Sequence, residues 1–181
     1  MTGVFIAVIG PSGAGKDSIL DYARDHYSHN PDGPIFVTRT ITRPTGSGED
    51  HTPTTEHEFA AAHARGEFAI TWRAHGLQYG IPMQDAHAVR GGAVVIANTS
   101  RAALAELPHH FTQTRIVRIT VSDDVRRTRL AARGREDAAD AAARILRPDP
   151  APDHPVDLDI VNDGTLENAG NTFIAFIDTL L

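Results

Sequence analysis

The sequence predicts an α/β fold, a parallel sheet core flanked by helices. Three observations predict it. Short runs dominated by apolar and β-branched residues recur at Val4–Ile9, Ala93–Ala97 and Ile116–Val121. Strands buried on both faces have that composition, whereas half-exposed strands alternate. Segments with apolar residues at helical spacing separate these runs, so strands alternate with helices. The first run ends in a glycine-rich loop, GPSGAG, directly ahead of the first helical segment.

The elements follow in order. After Val4–Ile9, Asp17–His26 carries Ile19, Leu20 and Ala23 on one helical face. Ile35–Thr38 reads as a second strand. Residues 39–53 are polar and rich in Gly and Thr, and read as a functional loop rather than core. Glu56–Arg65 is a predicted helix, with Thr54 or Thr55 as N-cap and Gly66 as its stop. Phe68–Arg73 and Leu77–Ile81 form a predicted hairpin around Ala74–Gly76. Met83–Val89 is helical and ends at Gly91-Gly92. Arg101–Leu107 is read as a helix closed by Pro108, and Asp123–Arg133 as a helix capped by Ser122 or Asp123. The proline-rich stretch 147–155 is a surface loop. Asp157–Val161 is the last strand and Leu166–Leu180 a final amphipathic helix. The 181 residues are expected to form a single domain, and open sheets of this kind bind ligands at the carboxyl ends of their strands.

Composition excludes several classes. A net charge of −6 argues against a general nucleic-acid binder, so any anion site must be a local concentration of cations. With no cysteine there is neither disulfide nor thiolate metal site. His57-Glu58 with His63 misses the zinc spacing H-E-x-x-H. Val4–Ile9 is too short to span a membrane and follows no basic leader, so a cytoplasmic protein without membrane contact is expected. Nothing in the sequence specifies an oligomeric state.

The glycine-rich loop carries the chemistry. Of 17 cationic Lys and Arg residues, the one lysine is Lys16, inside GPSGAGKD at residues 10–17. This matches the phosphate-binding pattern G-x-x-x-x-G-K-[ST], except that Asp17 stands at the Ser/Thr position. Gly10, Gly13 and Gly15 let backbone N–H groups converge on phosphate oxygens, with Pro11, Ser12 and Ala14 between them. The helix N-terminus that follows favours anions, and Lys16 adds a compact charge able to reach β/γ-phosphates. A nucleoside triphosphate is therefore the expected ligand. A bare carboxylate beside a triphosphate would repel it, so Asp17 makes sense as a Mg²⁺ ligand, with Ser18 as the alternative. Asp17 could instead serve only the helix N-terminus.

Further along, Arg43–Glu49, Tyr79-Gly80, Arg129–Gly134 and Ile160–Asp163 resemble the acceptor loop TRxxRxGE, the xYG turn, the lid helix RLxxRG and the late hydrophobic-ND strand end of guanylate-kinase-like P-loop kinases. The resemblance implies a P-loop NTPase fold, an acceptor-binding insertion over about 38–82 and an Arg-rich lid over about 133–147. It implies that Arg133 and Arg144 close over the phosphates beside Lys16, and that Asn162 and Asp163 lie near the adenine, although Asn-Asp-Gly is also a simple turn motif.

The guanine-reading positions depart from that family. Gly46, Ile70, Ile81 and Asn98 stand where guanylate kinases carry Arg, an acidic residue, Thr/Ser and Asp, and DHTPTT at 50–55 lacks their Tyr. A site built to hydrogen-bond a base loses heavily when its partners are apolar. These departures, with GKDS at 15–18, WxAHGLxYG at 72–80, NxSR at 98–101 and RGRE at 133–136, resemble the ribose 1,5-bisphosphate phosphokinases of phosphonate breakdown. The resemblance implies transfer of a phosphoryl group from ATP to α-D-ribose 1,5-bisphosphate, giving 5-phosphoribosyl 1-diphosphate. Arg39, Arg43, Arg73, Tyr79 and Arg101 are candidate phosphate contacts; planar guanidinium forks suit phosphate oxygens. Asn98 and His75 join them as candidate acceptor contacts, His75 for a sugar hydroxyl or only for the turn, and Trp72 for stacking or only for packing. The rival readings are a nucleoside monophosphate kinase of altered specificity and a non-catalytic guanylate-kinase-like module. The first lacks base-reading groups; the second would be expected to lose Lys16 or the lid arginines, and both are retained.

If Arg133 stabilises the transferring phosphoryl group, Arg133→Ala lowers turnover by about 3 kcal/mol of transition-state stabilisation and leaves ATP affinity nearly intact. Steady-state turnover beside nucleotide titration checks this; unchanged turnover removes Arg133 from the mechanism.

Overall fold

Strand β1 (Val4–Ile9) is buried at all six positions, and its alternation divides the core in two. Phe5, Ala7 and Ile9 face one apolar cluster, while Val4, Ile6 and Val8 face the other. The continuous apolar run is therefore the consequence of a strand covered on both sides. The computed structural model describes residues 3–44, 50–132 and 154–181.

In chain order, β1 is followed by α1 (Lys16–His26), β2 (Ile35–Phe36), β3 (Arg39–Ile41), β4 (His51–Pro53), α2 (Glu56–Ala64), β5 (Phe68–Ala74) and β6 (Leu77–Pro82). Then come α3 (Met83–Arg90), β7 (Val94–Asn98), a 3₁₀ turn (Arg101–Ala103), α4 (Leu107–His110), β8 (Thr114–Thr120), α5 (Asp123–Ala132), β9 (Leu158–Val161) and α6 (Leu166–Asp178). A five-stranded sheet runs in the order β2-β7-β1-β8-β9, and all its pairings are parallel. Helices α1 and α6 pack on one face; Phe173 and Ile177 of α6 are fully buried there beside Ile19 of α1. The fold class and the helices on both faces are as expected. No helix among the described residues is long and apolar enough to cross a membrane.

A second sheet, in the order β4-β3-β6-β5, is built from segments between residues 39 and 82. It corrects the reading of 39–53 as loop alone. Arg39–Ile41 and His51–Pro53 are paired parallel strands, and Ile41 is 1% exposed. Polar, Thr-rich composition concealed them because each is only three residues long. The expected strand Ile35–Thr38 correspondingly shortens to Ile35–Phe36, since the chain leaves one sheet to enter the other. Helix α2 starts at Thr55, whose hydroxyl accepts from the Glu58 N–H while the Glu58 carboxylate accepts from the Thr55 N–H. Pro108 does not close a helix. Arg101–Ala103 is a single 3₁₀ turn, and Pro108 lies in the first turn of α4, where a missing N–H costs nothing.

The packing of α1 on α6 depends on Gly170. A Cβ there would lie 2.2 Å from the Tyr22 ring. Gly170→Ala is therefore expected to destabilise the protein by about 1–3 kcal/mol through overpacking, read as a lower melting temperature.

Candidate active site

The loop between β1 and α1 is held in one shape by its glycines. Gly10, Gly13 and Gly15 all have positive φ, and a Cβ on Gly10 would lie 2.1 Å from the Ile119 carbonyl oxygen. Gly15 is the N-cap of α1 and supplies no side-chain cap, which leaves the first helical N–H groups facing the loop. Lys16 Nζ donates to the carbonyls of Gly10 (2.8 Å) and Pro11 (3.0 Å), so the ammonium lies across the loop. A nest of N–H groups with one ammonium is chemically an anion site.

The far side of the loop is braced by the end of β9. Asn162 is 4% exposed, and its amide donates to the Ala14 carbonyl at 2.8 Å. Its backbone N–H donates to Thr120, and Asp163 accepts from the Ser122 N–H at 2.8 Å. Both residues, expected beside adenine, thus have side chains bonded to the protein's own backbone.

In front of the loop lies a cleft of about 210 Å³. Lys16, Arg39, Arg43 and Arg101 line it with the single carboxylate of Asp17, a local concentration of cations in an acidic chain. Gly10, Ser12, Trp72, His75, Tyr79 and Asn98 complete the predicted residues that it brings together. The second sheet explains the convergence. Ile41 pairs with Tyr79, and Tyr79 with Trp72, which sets the two rings stacked at 5.3 Å and 5°. Arg39 lies over the Tyr79 ring at 5.8 Å and 4.0 Å from Asp17. Burial pulls Arg39 below the ordinary arginine range, Asp17 and Tyr79 push it back up, and Arg43 lowers it. A phosphate arriving there would relieve that cost.

Two of the positions where guanylate kinases read the base are closed. Ile70 and Ile81 pair across the β5–β6 ladder, 3% and 0% exposed, in one cluster with Trp72 and Tyr79. They offer no hydrogen bonds to a purine.

Of the expected acceptor and metal residues, Arg73 and Ser18 do not line the cleft. Arg73 is exposed and donates to Gln78, because the two-residue period of β5 turns it away from Trp72. Ser18 is exposed on α1 and does not line the cleft, whereas Asp17 does. Arg133, Arg144 and the expected lid lie outside the described residues, as does Gly46. Sequence reasoning missed His51, which is 5% exposed with its Nε2 at 3.3 Å from the Arg43 carbonyl. With the Nε2–H tautomer it donates there and holds the start of the 43–50 segment. Thr99 was also missed; its N–H closes onto Val8, which sets the cleft wall at the end of β7.

Fold and site define a phosphoryl-transferring protein of the P-loop type, with a guanylate-kinase-like architecture. The guanylate kinase of Anaplasma phagocytophilum superposes with a TM-score of 0.70 at 17% identity, over 98% of this chain and 86% of that one. No family model matches the chain. The ribose 1,5-bisphosphate phosphokinase PhnN of Pseudofrankia inefficax is 50% identical over 178 residues, 97% of this chain and 90% of that protein. The protein of that name in Rhizobium etli is 40% identical over 99% of this chain and 91% of its own length. A bifunctional ribose 1,5-bisphosphokinase-thymidine phosphorylase of Cupriavidus pinatubonensis is 44% identical over 92% of this chain, which spans 28% of that protein. The chain belongs to the ribose 1,5-bisphosphate phosphokinase family.

The β5–β6 turn supplies a test of the site's construction. His75 has φ 55 and Gly76 φ 73, the positive values that a two-residue hairpin requires. His75→Asn should melt close to the parent, since Asn tolerates this region, and His75→Val about 1–2 kcal/mol lower. Equal melting of the two variants would contradict the strained turn.

Proposed function

We propose that the chain transfers the γ-phosphoryl group of ATP to the 1-phosphate of α-D-ribose 1,5-bisphosphate, yielding ADP and 5-phosphoribosyl 1-diphosphate, as a step of phosphonate catabolism. The observation that carries this reading is the cleft itself: Arg39, Arg43 and Arg101 beside a phosphate loop that carries Lys16, with the stacked rings of Trp72 and Tyr79 as an apolar side. A substrate with two phosphates and no base needs that arrangement. The family relationship supports the same acceptor.

The chemistry asks little of the side chains beyond placement. A phosphate monoester has its second pKa near 6, so the attacking 1-phosphate is largely a dianion at neutral pH and needs no general base. One of its oxygens forms the new P–O bond as the bond from the γ-phosphorus to the bridging oxygen of ADP breaks. Lys16 leaves the carbonyls of Gly10 and Pro11 to meet the β/γ-phosphates, while loop N–H groups hold the chain of phosphates. Arg39, Arg43 and Arg101, which line the cleft, hold the two phosphates of the acceptor in line with the nucleotide. His75, which lines the cleft, meets a sugar hydroxyl. Trp72 packs under Tyr79 rather than stacking on the sugar. Arg133 and Arg144 close the site from the lid, excluding water that would hydrolyse ATP.

Mg²⁺ fits the donor set as a partner of the nucleotide. No cluster of three or more His, Asp or Glu able to hold a metal occurs among the described residues. An ion that binds through one carboxylate, waters and phosphate oxygens does not need one. Asp17 is the residue that would hold it, and the ion would neutralise charge on the β- and γ-phosphates.

Purified protein with Mg-ATP and either ribose 1,5-bisphosphate or GMP, followed by phosphorus NMR, tests the proposal. A diphosphate signal on ribose with little GDP is expected. GDP formation with no sugar product would make the chain a divergent guanylate kinase despite Ile70 and Ile81.

A further inference from the structure

Asn98 ends strand β7 and is 9% exposed. The sequence places it among the acceptor contacts, but the structure commits its side chain elsewhere. Its amide nitrogen lies 2.6 Å from Asp17 Oδ1, across 81 residues of sequence. A carboxylate only accepts, so the donor here is the amide N–H₂.

We propose that Asn98 is a positioning residue for Asp17. It holds the carboxylate of the phosphate loop toward the nucleotide-bound divalent cation. The inference rests on the reading of Asp17 as the metal-holding residue.

Three forces act on this carboxylate. Asp17 lies in the first turn of α1, where the helix dipole and the free N–H groups draw an acidic side chain back onto its own helix. Arg39 lies 4.0 Å away and draws it toward the acceptor side. The Asn98 hydrogen bond is the shortest contact, and a hydrogen bond to an ionised acceptor is roughly twice as strong as a neutral one. Its donor is also rigidly placed: Asn98 pairs with Val8 in the central sheet, and the Thr99 N–H donates to the Val8 carbonyl at 2.9 Å. A neutral amide orients the carboxylate without cancelling its charge, as a guanidinium in the same place would. Both contacts fall on Oδ1, so Oδ2 is uncommitted among the described residues.

The test is Mn²⁺ binding to the full chain in the presence of a non-hydrolysable ATP analogue, followed by electron paramagnetic resonance. Asp17→Ala, Asn98→Ala and the double variant form a cycle, with Asn98→Leu as a second single variant that keeps the buried volume. Each single variant should weaken Mn²⁺ binding about tenfold or more, the usual consequence of losing a metal ligand's supporting partner. The double variant should bind no more weakly than Asp17→Ala alone, because the two residues act as a unit. Additive losses would overturn the proposal. So would unchanged Mn²⁺ affinity in both Asn98 variants, or an Asp17→Ala variant that binds Mn²⁺ as the parent does. The titration contains no acceptor, so it reads out whether or not ribose 1,5-bisphosphate is the substrate; failure of that assignment would show only in the product assay.

Discussion

Everything in the cleft is placed relative to one wedge of backbone, the loop between β1 and α1. Gly10 fits against the Ile119 carbonyl only because it lacks a Cβ, and Asn162 ties the Ala14 carbonyl from the end of β9. The loop is thus clamped between the two strand ends that follow β1 in sheet order, β8 and β9. Clamping matters energetically because a nest of N–H groups binds anions well only when its amides need no reorganisation. It also fixes the start of α1, and with it the directions of Lys16 and Asp17. Buried Asn162 is therefore better understood as part of the phosphate loop than as part of a base pocket.

The second sheet brings the opposite charges to that loop. Arg39 is the joint between the two halves, since it lies over Tyr79 and reaches toward Asp17 from a half-buried position. An arginine there costs desolvation, which is why its proton affinity falls, and Tyr79 and Asp17 offset part of that cost. The stacked Trp72 and Tyr79, with Ile70 and Ile81 beneath, make a rigid and apolar floor. Discrimination follows from what this floor cannot do. A purine edge placed on it would leave its own donors and acceptors without partners, at a cost of about 1–3 kcal/mol for each buried group.

Periodicity and loop chemistry were legible in the sequence to different degrees. β1, α1, α2, α3 and the β5–β6 hairpin are where spacing and stop residues put them, because each is long enough for its pattern to repeat. The three-residue strands β3 and β4 were not legible, since neither contains a full alternation and both are held by partners distant in sequence. Pro108 misled for a related reason. A proline marks a helix start and a helix stop equally well, and only the packing of Leu107 into the core decides between them. In the site, Lys16 and the glycines could be named outright, whereas Arg73 was indistinguishable from Arg39 until the strand register turned one outward.

By itself the sequence determined the fold class and the anion-binding loop, because these follow from residue types at short, fixed spacing. The tertiary structure alone decided that Asp17 meets Asn98, that Arg39 of the second sheet reaches Asp17 on α1, that His51 holds the backbone of Arg43, and that Asn162 braces the loop. Most of those contacts join residues tens of positions apart. They arise from the order in which strands pair, and strand order depends on the summed burial of both sheet faces rather than on any local pattern.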